Sequence, residues 1–168
     1  MPLKREVIEK YKSKVFVESG SFMGDAIQTA LNVGFEKVLS VELADKFYNI
    51  CKIRFANEPR VTLFFGDVEL VLWDMIKDID EQITFWIDGH ESGGDTACGI
   101  HGDPCQQELE IIQRHHRKDH IILIDDVRGT IPPPMIESLK LINPSYQFFQ
   151  EDGFVPNDVL VARLCDGE

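Results

Sequence analysis

Five apolar runs in this chain each lead into an acidic residue. Val15-Phe16-Val17 leads to Glu18, Val38–Val41 to Glu42, Val61–Phe65 to Gly66-Asp67, Ile83–Ile87 to Asp88, and Ile121–Ile124 to Asp125-Asp126. Like charges gathered at one edge cost energy unless a cation or hydrogen-bond donors compensate. Glu18-Ser19-Gly20-Ser21-Phe22-Met23-Gly24 has the form of a buried strand, a glycine turn and a helix start, the nucleotide-binding corner of an α/β fold. Its spacing is E-x-G-x-x-x-G and not the G-x-G-x-x-G of dinucleotide binders. A carboxylate ending the next strand, Glu42, can accept both hydroxyls of a ribose. Asp88 and Asp125-Asp126 follow neighbouring strands, whose ends lie about 5 Å apart. They can therefore converge on one hard divalent cation such as Mg²⁺. His90, two residues past Asp88, has a side chain whose ordinary pKa suits a general base.

The elements needed to position these groups are legible in the hydrophobic pattern. Strands are expected over Val15–Glu18, Lys37–Glu42, Val61–Phe65, Ile83–Asp88 and His120–Asp125, with helices over Asp25–Val33, Ala44–Ala56, Val68–Ile79 and Gln106–Arg117 between them. Phe47, Ile50, Cys51 and Phe55 share one side of the second helix. A helix over Met135–Leu141 follows the proline cluster, and Tyr146–Gln150 and Asp158–Arg163 read as two closing strands. Alternation of strand and helix implies a mostly parallel sheet covered on both faces. Two final strands with no helix between them imply an antiparallel hairpin. The expected fold is thus an α/β, Rossmann-like, doubly wound sheet of seven strands in one domain over residues 1–168. The glycine-rich stretch 90–103 reads as a substrate lid.

The ordered set Glu18, Gly20, Gly24, Glu42, Asp67, Asp88 and Asp125-Asp126 resembles the motifs of class I S-adenosylmethionine (SAM)-dependent methyltransferases, and within them the small metal-dependent O-methyltransferases of the catechol and macrolide-sugar types. The resemblance implies that Glu18 and the turn (Gly20, Ser21, Gly24) hold the methionine end of SAM. Glu42 and Leu43 would lie at the ribose, Asp67 and Val68 at the adenine, and Asp88 beside the cofactor. It further implies that Asp88, Asp125 and Asp126 bind Mg²⁺, which holds and acidifies a substrate hydroxyl, with His90 and Asp88 as the catalytic residues. The catechol-type enzymes carry extra N-terminal helices over the site. Here a partner subunit in a homo-oligomer, or the glycine-rich loop, would have to close it.

Bulk properties agree. The chain has 168 residues, 43% hydrophobic and 27% charged, a net charge of -12 and a pI near 4.8. That argues against nucleic-acid or anionic-membrane partners, which need clustered Lys and Arg, and favours a small-molecule substrate. The basic cluster 114–118 reads as the polar end of a helix. Four scattered cysteines do not make a disulfide framework. Met1–Glu6 turns polar at once, without a signal-peptide pattern, so the expected compartment is the cytoplasm. A zinc site from His90, Cys98, His101 and Cys105 fits no standard spacing. His115, His116 and His120 read as a helix end and a strand start, and Trp73 and Trp86 as core or pocket wall. Two other functions remain open: a SAM- or nucleotide-binding sensor or accessory protein without methyl transfer, and an NAD-dependent oxidoreductase, for which no Tyr-x-x-x-Lys relay is visible.

Overall fold

The structure, a computed structural model, describes residues 3–88, 105–127 and 131–165. Seven strands, β1 (Val15–Ser19), β2 (Lys37–Glu42), β3 (Val61–Phe65), β4 (Ile83–Ile87), β5 (Ile121–Ile124), β6 (Gln147–Glu151) and β7 (Val159–Arg163), form one sheet in the order β3-β2-β1-β4-β5-β7-β6. The first five are parallel; β7 pairs antiparallel with both β5 and β6. The expected fold and its closing antiparallel pair are therefore observed, with the last strand inserted beside β5.

Among the described residues six helices cover the sheet: α1 (Arg5–Lys10), α2 (Asp25–Val33), α3 (Asp45–Arg54), α4 (Val68–Ile76), α5 (Cys105–Arg114) and α6 (Pro133–Ile142). Each central strand is buried on both sides, so each is apolar almost throughout, and its residues alternate between two cores. Val15, Val17, Leu39, Val41, Phe85 and Ile124 face a core completed by α4, α5 and α6. Phe16, Val38, Trp86 and Leu123 face the one completed by α1, α2 and α3. Glu18, Ser40 and Glu42 have the parity of Phe16 and Val38, so the same two-residue period that builds the second core carries them to its upper rim.

One element is new and three expectations change. Residues 5–10 form a helix, α1, whose Val7 and Ile8 join the second core; six residues are too few for periodicity to declare it. The proline cluster opens α6 instead of delaying it, because prolines in the first turn sacrifice N–H groups that have no intrahelical partner. His115 is not part of a solvated helix end: it is fully buried, as is His120. Trp86 is core, but Trp73 is 37% exposed on α4.

The start of α2 depends on Gly24. Its φ is +83°, and a Cβ there would lie 2.6 Å from the Phe55 ring and 3.2 Å from Cys51 Sγ. Gly24→Ala is expected to destabilise the protein by about 2–4 kcal/mol, combining left-handed backbone strain with overpacking. A shift in the urea midpoint measures it; a loss under about 0.5 kcal/mol would mean the turn relaxes freely.

Candidate cofactor and metal site

The turn after β1 is clamped from three directions. The N–H groups of Gly20 and Ser21 both donate to Val41 O, at 3.0 and 3.2 Å. Glu42, ending β2, accepts from Phe22 N through Oε2 and from Ala44 N through Oε1, each at 2.8 Å. From α3, Arg54 donates to Met23 O at 2.6 Å and to Asp25 Oδ1 at 2.8 Å, and Cys51 Sγ lies 3.3 Å from Phe22 O. Phe22 is held with φ +44°, unusual for a non-glycine residue, and its ring packs on Phe47 at 4.5 Å between centroids. Arg54 and Cys51 are site-supporting residues that spacing alone does not single out.

Glu18 is 2% exposed. Its Oε2 accepts from Ser40 Oγ at 2.6 Å, and Ser40 Oγ is in turn 2.6 Å from Ser21 Oγ. Burial, opposed by the Ser40 hydrogen bond and reinforced by the negative charges of Asp88 and Glu42, pushes the Glu18 carboxyl up to about 8. Ser40, fully buried in mid-strand, is a further residue missed in sequence. The parallel register Glu18↔Ser40 is what brings it to the carboxyl.

Glu42 is also buried, at 8% exposure. Both its oxygens hold backbone amides, yet each carboxylate oxygen can accept more than one bond, so ribose hydroxyls remain compatible with it. Glu42→Ala is expected to loosen the turn, since Phe22 and Ala44 lose their acceptor, and, as the resemblance to SAM-dependent methyltransferases implies, to weaken SAM binding by about 1–3 kcal/mol. Unchanged affinity in calorimetry would remove Glu42 from the site. Leu43 is half-buried beside it. Asp67 is the N-cap of α4, its side chain accepting from Glu69 N at 3.0 Å, and Val68 opens that helix, packed against the first core. Asp67 thus holds a helix start whatever else it binds.

At the other end of the edge, Asp125 is 2% exposed and Asp88 and Asp126 are half-buried. Burial and the charge of Asp88 raise Asp125 to about 7. Asp126 has φ +59°. The structure gathers Asp125 and Asp126 with Asp158, one oxygen of each lying within 4.8 Å of the others. Asp158 comes from the residue before β7. Because Ile124 pairs with Leu160 in the antiparallel β5–β7 ladder, the register continues to set Asp126 opposite Asp158, and Val127 N donates to Asp158 O at 2.9 Å. Gly153 in the β6–β7 connection closes over the group: a Cβ there would lie 3.0 Å from Asp158 Cβ and 3.3 Å from Asp125 Oδ1. Three carboxylates with a hard-oxygen donor set fit a divalent cation. Asp158 could have been found in sequence only by assuming its register. The expected base His90, the lid 90–103, and Cys98 and His101 of the discounted zinc set lie outside the described residues.

Neither a protein-family model nor a curated protein sequence matches the chain. Solved structures do match. A putative caffeoyl-CoA O-methyltransferase from Staphylococcus aureus has TM-score 0.66 at 12% identity, over 96% of this chain and 80% of that one. The O-methyltransferase TomG from Streptomyces achromogenes, in complex with SAM, has TM-score 0.63 at 11% identity, over 97% and 78%. An O-methyltransferase from Bacillus cereus, in complex with SAH, has TM-score 0.61 at 14% identity, over 94% and 76%. The fold is the Rossmann-like fold of class I SAM-dependent O-methyltransferases.

Proposed function

We propose that this protein is a SAM-dependent methyltransferase that acts on a small hydroxylated molecule with the help of a divalent cation. The observation that carries the reading is the placement of two buried carboxylates, Glu18 and Glu42, on either side of a clamped glycine turn, on the same sheet edge as the Asp125 cluster. Glu18 with Gly20, Ser21 and Gly24 would hold the amino-acid end of the cofactor. Glu42 and Leu43 would hold the ribose, and Asp67 and Val68 would border the adenine. Asp88 and Asp125-Asp126, joined by Asp158, would hold Mg²⁺, which supplies an electrophile to fix and acidify the acceptor hydroxyl. Bound there, SAM would supply the methyl group for the acceptor oxygen, and His90 would be the base that takes the hydroxyl proton. This chemistry would occupy one domain over residues 1–168, in the cytoplasm. Among the described residues no helix is long and apolar enough to cross a membrane. Closure of the site by a second subunit is compatible with it.

Titration calorimetry with SAM, S-adenosylhomocysteine and NAD tests the reading. Both adenosyl ligands are expected to bind at least tenfold tighter than NAD; equal or weaker binding overturns it. The second reading, a SAM-binding sensor or accessory protein, is disfavoured by the Asp125–Asp126–Asp158 group, for which a pure binding module has little use. Tight SAM binding without methyl transfer to any hydroxylated acceptor would favour it.

A further inference from the structure

We propose that the buried chain Glu18–Ser40–Ser21 stores a proton that is released when the cofactor's cationic amino group docks, with Ser40 as the positioning residue that sets the readiness of that release. The inference rests on the cofactor reading above.

Glu18 sits in the second core's rim, 2% exposed, and its hydrogen-bond partner is the neutral hydroxyl of Ser40. The described charged groups acting on it are the acids Asp88, beyond the end of β4, and Glu42, at the end of β2. From α3 it faces Cys51, whose thiol is pushed up to about 12 and so stays neutral. A carboxyl in that setting keeps its proton near neutral pH, as its upward shift to about 8 indicates. The two hydroxyls make the arrangement reversible. With Glu18 ionised, Ser21 donates to Ser40 and Ser40 to Glu18. With Glu18 protonated, the carboxyl donates to Ser40 and Ser40 to Ser21, whose hydroxyl then accepts instead of donating. Both links are 2.6 Å, short enough to serve in either direction. Ser21 lies buried in the glycine turn itself, anchored through its N–H on Val41 O, so the ionisation of Glu18 is read out in the turn that would hold the cofactor. An ammonium group arriving there favours the carboxylate, and the proton leaves to solvent.

The experiment is calorimetry of S-adenosylhomocysteine binding to the wild-type protein in buffers of different protonation enthalpy, from pH 6 to 8.5. About one proton per ligand is expected to be released at pH 6.5 and about half at pH 8, with affinity rising roughly tenfold per pH unit below pH 7. Ser40→Ala, which removes the hydroxyl that steadies the carboxylate, should move the release profile to higher pH and weaken binding at pH 7 about tenfold. Ser40→Thr should restore both, and Glu18→Gln should abolish release. Wild-type binding with no proton exchange overturns the inference while leaving the cofactor reading intact. A Ser40→Ala profile identical to wild type, in a protein that melts normally, also overturns it. Failure of S-adenosylhomocysteine to bind at any pH overturns both.

Discussion

Asp125→Asn is expected to lower methyl transfer at least about 100-fold while changing SAM affinity less than about threefold, and a strong chelator should do the same to the wild-type protein. The size follows from what a divalent cation would do in the function proposed above. Stabilising a developing alkoxide is worth several kcal/mol, and asparagine keeps the shape of a ligand but removes its charge. Asp125 carries this effect because it is one of the two buried members of the cluster, with Asp158, and shares its space with Asp126 and the field of Asp88. The same crowding gives a second readout. In the absence of a cation, Asp125 has a folded-state pKa raised to about 7 from its ordinary value of 3.8. Such a group contributes stability that is fully present below the unfolded value and is lost as pH rises through 7. At pH 8 the metal-free protein therefore holds an unfavourable charge that asparagine lacks. The metal-free variant should be about 1–3 kcal/mol more stable than wild type at pH 8 and no more stable at pH 4. Turnover that survives both the chelator and Asp125→Asn would remove the metal from the mechanism. A stability gain without loss of turnover would leave Asp125 as a strained acid with no catalytic part.

The legible and the illegible parts of this molecule divide along a physical line. The strands β1, β2, β4 and β5 are readable because each is buried on both faces and almost wholly apolar until its end, which announces itself as Glu18, Glu42, Asp88 or Asp125; β3, half-exposed at the sheet edge, is readable from its apolar run before Gly66-Asp67. The glycine spacing is readable because Gly24 must sit at positive φ against Phe55. Asp158 and Ser40 are not readable. Each becomes a site residue through strand register: Ser40 through the parallel pairing with Glu18, Asp158 through the antiparallel pairing that follows β5. Register follows from how the hydrophobic faces of whole strands and their connections match, so neither Ser40 nor Asp158 carries a signal of its own. Likewise Arg54 reads as an ordinary surface cation at the end of α3, and only the fold shows it donating to the carbonyl of Met23. The histidines mislead for the opposite reason. His115 and His120 stand in a run of charged residues, yet they point inward, where their partners are each other and backbone groups of other elements.

That histidine pair makes a stability prediction with a strong pH dependence. His115 Nε2 lies 3.0 Å from Ile76 O, which requires a proton on Nε2. His115 Nδ1 then accepts from Arg117 N at 3.2 Å and from His120 Nε2 at 2.9 Å, and His120 Nδ1 accepts from Ile83 N at 3.1 Å. Every ring nitrogen is committed in the neutral form, and the pair ties the end of α4 and the residue after α5 to the starts of β4 and β5. A proton on either ring breaks one of these bonds inside a buried site. Burial and the neighbouring ring hold His120 down to about 3 and burial lowers His115 as well; among the groups around them Asp119 opposes the shift on His120 and Arg117 and His116 reinforce it. A lowered histidine pKa means that the unfolded chain takes the proton first, so stability is full above about 6.5 and falls as pH drops from there toward 3. His120→Phe should be less stable than wild type by about 2–3 kcal/mol at pH 7.5, because Ile83 N–H loses its acceptor. The gap should close by about 1.4 kcal/mol per pH unit below 6.5, since the variant has no proton to gain at this position on unfolding. Comparing the two proteins at each pH cancels the opposing contributions of Glu18 and Asp125, which gain stability over the same acid range. Urea unfolding at pH 7.5, 6.0 and 5.0 measures the gap. A difference that stays constant across these three values would show that the imidazoles are not held neutral by the fold.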